Sequence, residues 1–393
     1  MKFKGDNILM EPRTLSETLT KAMKTFPCVV LTGPRQSGKT TLLKTMFPDY
    51  TYISLEKPDL REFATNDPNG FFEKYSDKVI FDEAQRVPSL FSYLQTIVDD
   101  SGKMGQFILS GSQNFQLLQN ITQSLAGRVA LFQLFPFDFD ELGSSNLLEK
   151  DYQSAMIKGF YPAIYDRDIE PKTFYYNYIQ TYVQRDVVEL IEIKNVSLFK
   201  KFLTLLASRT GQLVNFNSLA NDCGVSQPTI KAWVSVLESS YLIFTLQPYF
   251  ENIGKRLIKT PKVYFYDTGL LCHLLGIKKN EELTTHPLKG SLFENMIVSE
   301  YIKKMHHTQN IHDVWFWRDV AGHEVDLVTK EDGRVQIYEI KSSATIMQNH
   351  FNGLSYFEHT HPSLNIDKKL IYSGKENQKR TVGEIIAWNN FKI

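Results

Sequence analysis

The chain has 393 residues, 42% of them apolar, with 44 lysines and arginines balanced by 44 aspartates and glutamates. That length suits two or three domains, and the composition excludes a disordered, collagen-like or disulfide-stapled chain. The formal charge of zero excludes a polycation that coats nucleic acid by bulk charge, so any such contact must come from a local patch.

The three cysteines, Cys28, Cys223 and Cys272, are far apart and form no CxxC pair. This pattern points to a reducing compartment and away from a zinc site. The N-terminal MKFKGDNILMEPR has no apolar core of a signal peptide, and no apolar run nears the ~20 residues of a membrane span. The expectation is a cytoplasmic protein without membrane contact.

From residue 1 to about 145, short apolar runs alternate with helical segments. Cys28–Leu31, Tyr52–Leu55, Val79–Phe81 and Phe107–Leu109 read as buried parallel strands of an α/β domain. After the first strand, Gly33-Pro34-Arg35-Gln36-Ser37-Gly38-Lys39-Thr40 matches GxxxxGK[ST] at every fixed position and opens a helix through Thr41. Glycines let backbone N–H groups wrap phosphates, and the helix N-terminus favours negative charge. Lys39 is expected to stand exposed in the loop and reach the β- and γ-phosphates of ATP, with Thr40 on Mg²⁺.

The strand Val79–Phe81 delivers Asp82 and Glu83 at its C-terminal end, where ligands bind in open α/β sheets. Asp82 is the expected Mg²⁺ partner, and Glu83 the residue that polarises the attacking water. The adjacent glutamate marks P-loop ATPases with an additional strand between the phosphate-loop strand and this one. Phe107–Leu109 ends in Ser110-Gly111-Ser112-Gln113-Asn114, whose Ser112, Gln113 or Asn114 is placed to sense the γ-phosphate. Arg128 is a candidate arginine finger, with an ordinary ion pair as the alternative.

Leu142-Gly-Ser-Ser-Asn-Leu reads as a linker edge, and residues 146–285 as a helical domain. Aromatic helices are expected over Thr173–Leu190 and Leu198–Ser208. A helix–turn–helix follows, Asn217–Cys223 and Gln227–Glu238, with Ser226 as cap and Pro228 in the first turn. Ile230, Trp233, Val234 and Leu237 form its buried stripe. Two strand-like runs after it give the order of a winged helix. Lys255, Arg256, Lys259 and Lys262 form a basic run suited to DNA phosphates. His306, His307 and His312 lack metal spacing and read as surface or structural residues.

Residues 286–393 open with a helix, Leu292–Lys304, followed by strands at Val314–Arg318, Glu324–Thr329 and Arg334–Ile340. Asp332-Gly333 marks a hairpin between the last two. Residues two apart in a strand share a face. Asp326 thus shares a face with Glu324, and Glu339 with Lys341, while Val325, Leu327 and Ile340 turn to the core. The hairpin brings Asp326 beside Glu339, with Glu294 on the preceding helix nearby, all on an exposed sheet face.

Taken together, Gly33–Thr40, Asp82-Glu83-Ala84-Gln85, Leu109-Ser110-Gly111-Ser112 and Leu125-Ala126-Gly127-Arg128 resemble the prokaryotic AAA-type ATPases that carry a C-terminal domain of uncharacterised function. Tyr182–Val187, Asn252–Leu257 and Lys262–Leu270 extend the likeness over nearly the whole chain. The resemblance implies an ATP-binding protein of bacteria or archaea. The order helix Glu, strand Asp, then Glu-x-Lys also resembles the PD-(D/E)XK nuclease core. It implies Mg²⁺ held by Glu294, Asp326 and Glu339, with Lys341 beside the reacting phosphate. The expected architecture is a P-loop ATPase domain, a helical and winged-helix domain, and a nuclease-like α/β domain. The expected activity is ATP hydrolysis coupled to an action on DNA, and a second copy of the chain is a further candidate partner. The alternative is an ATP-gated interaction module whose C-terminal domain does not cleave.

Overall fold

The computed structural model describes residues 13–112, 121, 124–181, 195–250 and 260–392. After the helix α1 (Ser16–Ala22), the first apolar run forms β1 (Cys28–Thr32), which the phosphate loop joins to α2 (Lys39–Met46). Then come β2 (Thr51–Ser54), α3 (Pro58–Asn66), α4 (Pro68–Lys74), β3 (Val79–Asp82), α5 (Leu90–Ser101), β4 (Phe107–Gly111) and β5 (Val129–Gln133). All five strands are parallel, in the order β2-β3-β4-β1-β5. The strand β4 lies between β1 and β3, the additional strand that the Asp82-Glu83 pair implies.

Every residue of β1, β3 and β4 is buried, because helices cover both faces. Alternation divides them between two cores. Cys28, Val30, Phe81 and Phe107 face one, and Val29, Leu31, Ile80 and Ile108 the other.

The expected linker at Leu142 is instead part of a helix, α6 (Phe139–Ser144), and Leu142 is fully buried. Its Gly-Ser-Ser tail has loop composition, but Asp138 and Glu141 form a capping box that starts the helix.

Next come α7 (Tyr152–Lys158), α8 (Pro162–Asp166), α9 (Pro171–Tyr178) and α10 (Val196–Ala207). The helix–turn–helix is α11 (Phe216–Cys223) and α12 (Gln227–Ser239). Gly224 takes φ 75° in the turn, and Ser226 Oγ accepts from Thr229 N. Trp233 packs its ring 5.3 and 5.2 Å from those of Phe199 and Phe202. The strands β6 (Ile243–Pro248) and β7 (Lys262–Phe265) then pair antiparallel.

The helices α13 (Thr268–Leu274), α14 (Asn280–Thr285) and α15 (Lys289–Thr308) lead into β8 (Val314–Arg318), β9 (Glu324–Glu331) and β10 (Arg334–Lys341). The strands β9 and β10 turn through Asp332 and Gly333, both at positive φ, as the dipeptide predicts. The helix α16 (Asn352–Thr360), then β11 (Asn365–Tyr372), β12 (Gln378–Arg380) and β13 (Gly383–Ala387) complete a sheet ordered β12-β13-β11-β10-β9-β8-β6-β7. The strand β6 pairs with β8 as well as β7, so this sheet runs across residues 285 and 286.

The two sheets are joined through α15, a helix with buried residues on every side. Lys303 donates to Phe137 O at 2.6 Å and pairs with Glu300, which accepts from Phe139 N at 2.7 Å. His307 accepts from Phe135 N at Nε2 and meets Asp138 at Nδ1, 2.8 Å away. Arg13 completes the junction. Its guanidinium donates to Glu141 at 2.9 Å, to Phe135 O at 2.6 Å and to Ser37 O in the phosphate loop at 2.8 Å. Asp138, Glu141 and His307 are close enough to hold a metal ion. Their polar atoms are instead taken by Arg13, Thr14 and backbone N–H groups, so the cluster is a structural joint.

Removing one partner of a buried ion pair leaves the other charge uncompensated, at about 3–5 kcal/mol. Arg13→Met is therefore expected to lower urea-unfolding stability by about that much. Arg13→Met with Glu141→Met should recover a large part of it. A single-mutant loss below about 1 kcal/mol, the ceiling for a surface pair, would show that the pair is not buried in solution.

Candidate functional site

Two glycines shape the phosphate loop. Gly33 has φ 143° and lies so close to Leu134 that any Cβ would collide with the Leu134 carbonyl oxygen. Gly38 sits at φ 94° as the N-cap of α2. The Lys39 side chain is not exposed, as the loop position suggested, but only 7% accessible. Its ammonium folds back along the loop and donates to the carbonyls of Gly33 and Pro34, both at 2.8 Å. Burial pulls its pKa down to about 8, against the opposing charges of Glu83 and Asp82.

Thr40 Oγ1 donates to Asp82 Oδ2 at 3.0 Å. The same carboxylate accepts from Tyr52 at 2.5 Å, Ser110 at 2.6 Å and the Glu83 amide at 3.2 Å. A hydroxyl and a carboxylate this close are hard oxygen donors of the kind Mg²⁺ takes. Glu83 adopts the left-handed conformation, φ 54°, uncommon outside glycine and asparagine. Its Oε2 accepts from Gln85 at 2.5 Å and Ser112 at 3.4 Å. The Ser37 hydroxyl is buried without a partner, a donor left open in the loop.

Lys39, Thr40, Asp82, Glu83 and Ser112 line a cleft of about 350 Å³ together with Arg35, Gln36, Gly38, Thr41 and Glu56. Its other wall is Pro162, Ala163, Asp166 and Arg167, from α8 and its end. Gln113 lies outside the described residues. Arg128 is elsewhere. Its carbonyl accepts from Cys28 N at the start of β1, and its guanidinium grips Asp99 at 2.6 and 2.8 Å. The length of β1, roughly 16 Å at ~3.3 Å per residue, separates it from the loop of its own chain. Within its own chain Arg128 is held in the ion pair with Asp99, away from the phosphate loop.

The residues of the second constellation lie within electrostatic reach of one another, but not on an exposed face, and Glu294, Asp326 and Glu339 do not all come within metal-ligand spacing. Asp326 and Glu339 are only 8% and 9% accessible, because α15 and α16 cover the sheet. They lie opposite each other, one step beyond the Leu327–Tyr338 pair of the antiparallel register. Asp326 Oδ2 accepts from Ile340 N at 2.8 Å, and Glu339 pairs with Lys341. A Cβ on Gly353 of α16 would come 3.3 Å from Glu339 Oε2. That oxygen is buried with no hydrogen-bond partner.

Glu294 accepts from Tyr264 at 2.6 Å and from Lys262 at 2.8 Å. Lys262 also pairs with Glu324, which Arg318 holds from the other side at 2.8 Å. Burial and the Asp326 charge push Glu339 up to about 8, and burial carries Glu294 up to about 7 despite Lys262. Burial opposes the Lys262 charge, yet Glu294, Tyr264 and Glu324 hold its pKa well above the ordinary lysine value.

Lys262 thus leaves the expected basic run. It is 1% accessible and faces carboxylates, so it does not meet DNA phosphates. Lys255, Arg256 and Lys259 lie outside the described residues, as do Tyr182–Val187 and Asn252–Leu257. Sequence reasoning missed Tyr52, Ser110, Arg13 and Arg167. Strand neighbours and the docking of α8 are tertiary facts, and no local pattern announces them.

Residues 25–143 match a family model described as an AAA domain, 149–281 a domain of unknown function (DUF8612), and 289–391 a domain of unknown function (DUF4143). The uncharacterized proteins Rv2008c of Mycobacterium tuberculosis and Mb2031c of Mycobacterium bovis are each 32% identical over 342 residues, 86% of this chain and 75% of theirs. Among solved structures, the Walker-type ATPase PabY2304 of Pyrococcus abyssi is 17% identical with TM-score 0.43, covering 70% of this chain and 98% of its own. No helix among the described residues is long and apolar enough to cross a membrane.

The buried Lys39 ammonium generates a pH test. Phosphate favours its charged form, so affinity for a fluorescent ATP analogue should hold to about pH 8 and then fall, by at most ~10-fold per pH unit. Lys39→Met should bind weakly without that decline. A wild-type affinity level from pH 7 to 10 would contradict the assignment.

Proposed function

The chain belongs to the family of AAA-domain proteins with a C-terminal domain of unknown function, and we propose that it binds ATP with Mg²⁺ and hydrolyses it. The observation that carries this reading is the convergence of Lys39, Thr40, Asp82 and Glu83 on one cleft at the C-terminal edge of a parallel sheet. Lys39 swings from the Gly33 and Pro34 carbonyls to the β- and γ-phosphates. Ser37 and the loop amides donate to the same oxygens. Thr40 and Asp82 would hold Mg²⁺, which would supply neutralisation of phosphate charge. Glu83 orients the attacking water and takes its proton. Arg167 reaches the cleft from α8, so cleft occupancy bears directly on the second domain.

Glu83→Gln keeps the side-chain shape but cannot accept the proton. ATP should still bind, while turnover falls by about 10²–10⁴-fold in a phosphate-release assay. Loss of binding instead would make Glu83 part of the metal or loop framework.

For the C-terminal half, we read the Glu294, Asp326, Glu339 and Lys341 cluster as a cation-dependent site acting on DNA. Its support is the unpartnered Glu339 oxygen beside a second carboxylate. A second reading, an ATP-gated module that grips without cutting, is favoured by Lys262, which already neutralises part of the cluster. The double variant Asp326→Ala/Glu339→Ala decides between them in a Mg²⁺/Mn²⁺ nuclease assay with ATP. Cutting by the wild type that the variant loses, with ATPase activity kept, supports cleavage. Absence of cutting by the wild type, with DNA binding weakened in the variant, supports gripping.

A further inference from the structure

The carboxylate cluster of the third domain contains a cation that belongs to the chain. The Lys262 ammonium lies between Glu294 and Glu324, from α15 and β9, and both are within ion-pair reach. Lys262 is the most deeply buried charge there, on β7 of the preceding region, and Tyr264 two residues on shares Glu294 with it. Strand alternation places both side chains on one face of β7. Gly211 closes the far side, its Cβ position 3.4 Å from the Glu294 carboxylate.

A divalent cation between carboxylates neutralises their mutual repulsion and fixes their spacing. An ammonium does the same with one charge and three donors, and it cannot diffuse away. The cluster opens to solvent past Glu324, at 24% side-chain exposure, and past Arg318 and Lys341, both at 36%. On the inner side, Glu294 is committed to Lys262 and Tyr264. On the other, Glu339 Oε2 is nine-tenths buried and bonded to nothing. The two sides therefore differ. One is filled by Lys262, and on the other Lys341 pairs with one oxygen of Glu339 while Oε2 is left without a partner.

We propose that Lys262 is a built-in counter-ion that competes with divalent metal for Glu294, so that the cluster takes such an ion only weakly, through Asp326 and Glu339. This inference rests on reading those two carboxylates as a cation site. It adds that the segment carrying Lys262, and not the acidic residues alone, sets how readily the site is metallated.

The test is Mn²⁺ titration of the nucleotide-free full chain, followed by loss of the free-ion electron paramagnetic resonance signal. An Asp82→Asn background removes the carboxylate of the phosphate-loop site. Lys262→Met should bind one Mn²⁺ at least about 10-fold more tightly than the Lys262 protein, as expected when a competing cation leaves a carboxylate site. Adding Glu294→Gln should cancel the gain. If Lys262→Met fails to fold by circular dichroism, Lys262→Met/Glu324→Gln, with one fewer orphaned carboxylate, is titrated in its place with the same expectation. Equal affinity with and without Lys262 would overturn its role while leaving the cation-site reading intact. No Mn²⁺ bound by any of these proteins would overturn the cation-site reading as well.

Discussion

Arg13 carries a full charge into a region almost without water, and the surrounding architecture is arranged to compensate it. A guanidinium cannot shed its proton when buried, so its five donors must find acceptors. It finds Glu141 in α6, Phe135 O after β5, and Ser37 O in the phosphate loop. Those three acceptors come from parts of the chain that no local rule brings together. The position of the phosphate loop is consequently tied to the segment after β5. That segment is in turn seated on α15 by Glu300, Lys303 and His307.

The helix α15 is the common member of both halves. Its C-terminal end holds the joint beneath the first sheet, and Glu294, thirteen residues earlier, stands in the acidic cluster of the second. At ~1.5 Å per residue the two points are roughly 20 Å apart on one rigid element. A displacement of one end cannot be absorbed within the helix, since its buried residues pack on every side. The two carboxylate centres it separates are satisfied in different ways. Asp82 is fully engaged by hydroxyls and an amide, whereas Glu339 keeps an oxygen without any donor.

Much of the first domain was legible from residues alone. Gly33–Thr40 and Asp82-Glu83 are sites where backbone geometry and charge demand particular residues at fixed spacing. The continuous apolar runs Val29–Leu31 and Phe107–Leu109 mark buried strands without any partner strand in view. Ser226 and Pro228 likewise mark α12 through local capping chemistry. What remained hidden was whatever depends on a distant neighbour. Lys262 ends a basic run and reads as solvent-facing, because nothing nearby discloses that Glu294 and Glu324 will meet it. The face of Asp326 and Glu339 alternates as a half-exposed hairpin should, yet covering helices bury it. At Leu142, loop-like Gly-Ser-Ser concealed a helix whose start was written just upstream, in Asp138 and Glu141.

The strand β6 ties the third region to the residues before it. It lies between β7 on one edge and β8 on the other, so the third region's sheet is completed by residues that precede it. A row of unpaired N–H and C=O groups along β8 would be an invitation to association with other chains. Shuffling the third region into another protein therefore requires β6 and β7 to move with it, or a substitute edge to be supplied. The two regions are one structural unit at this edge although their sequence textures differ.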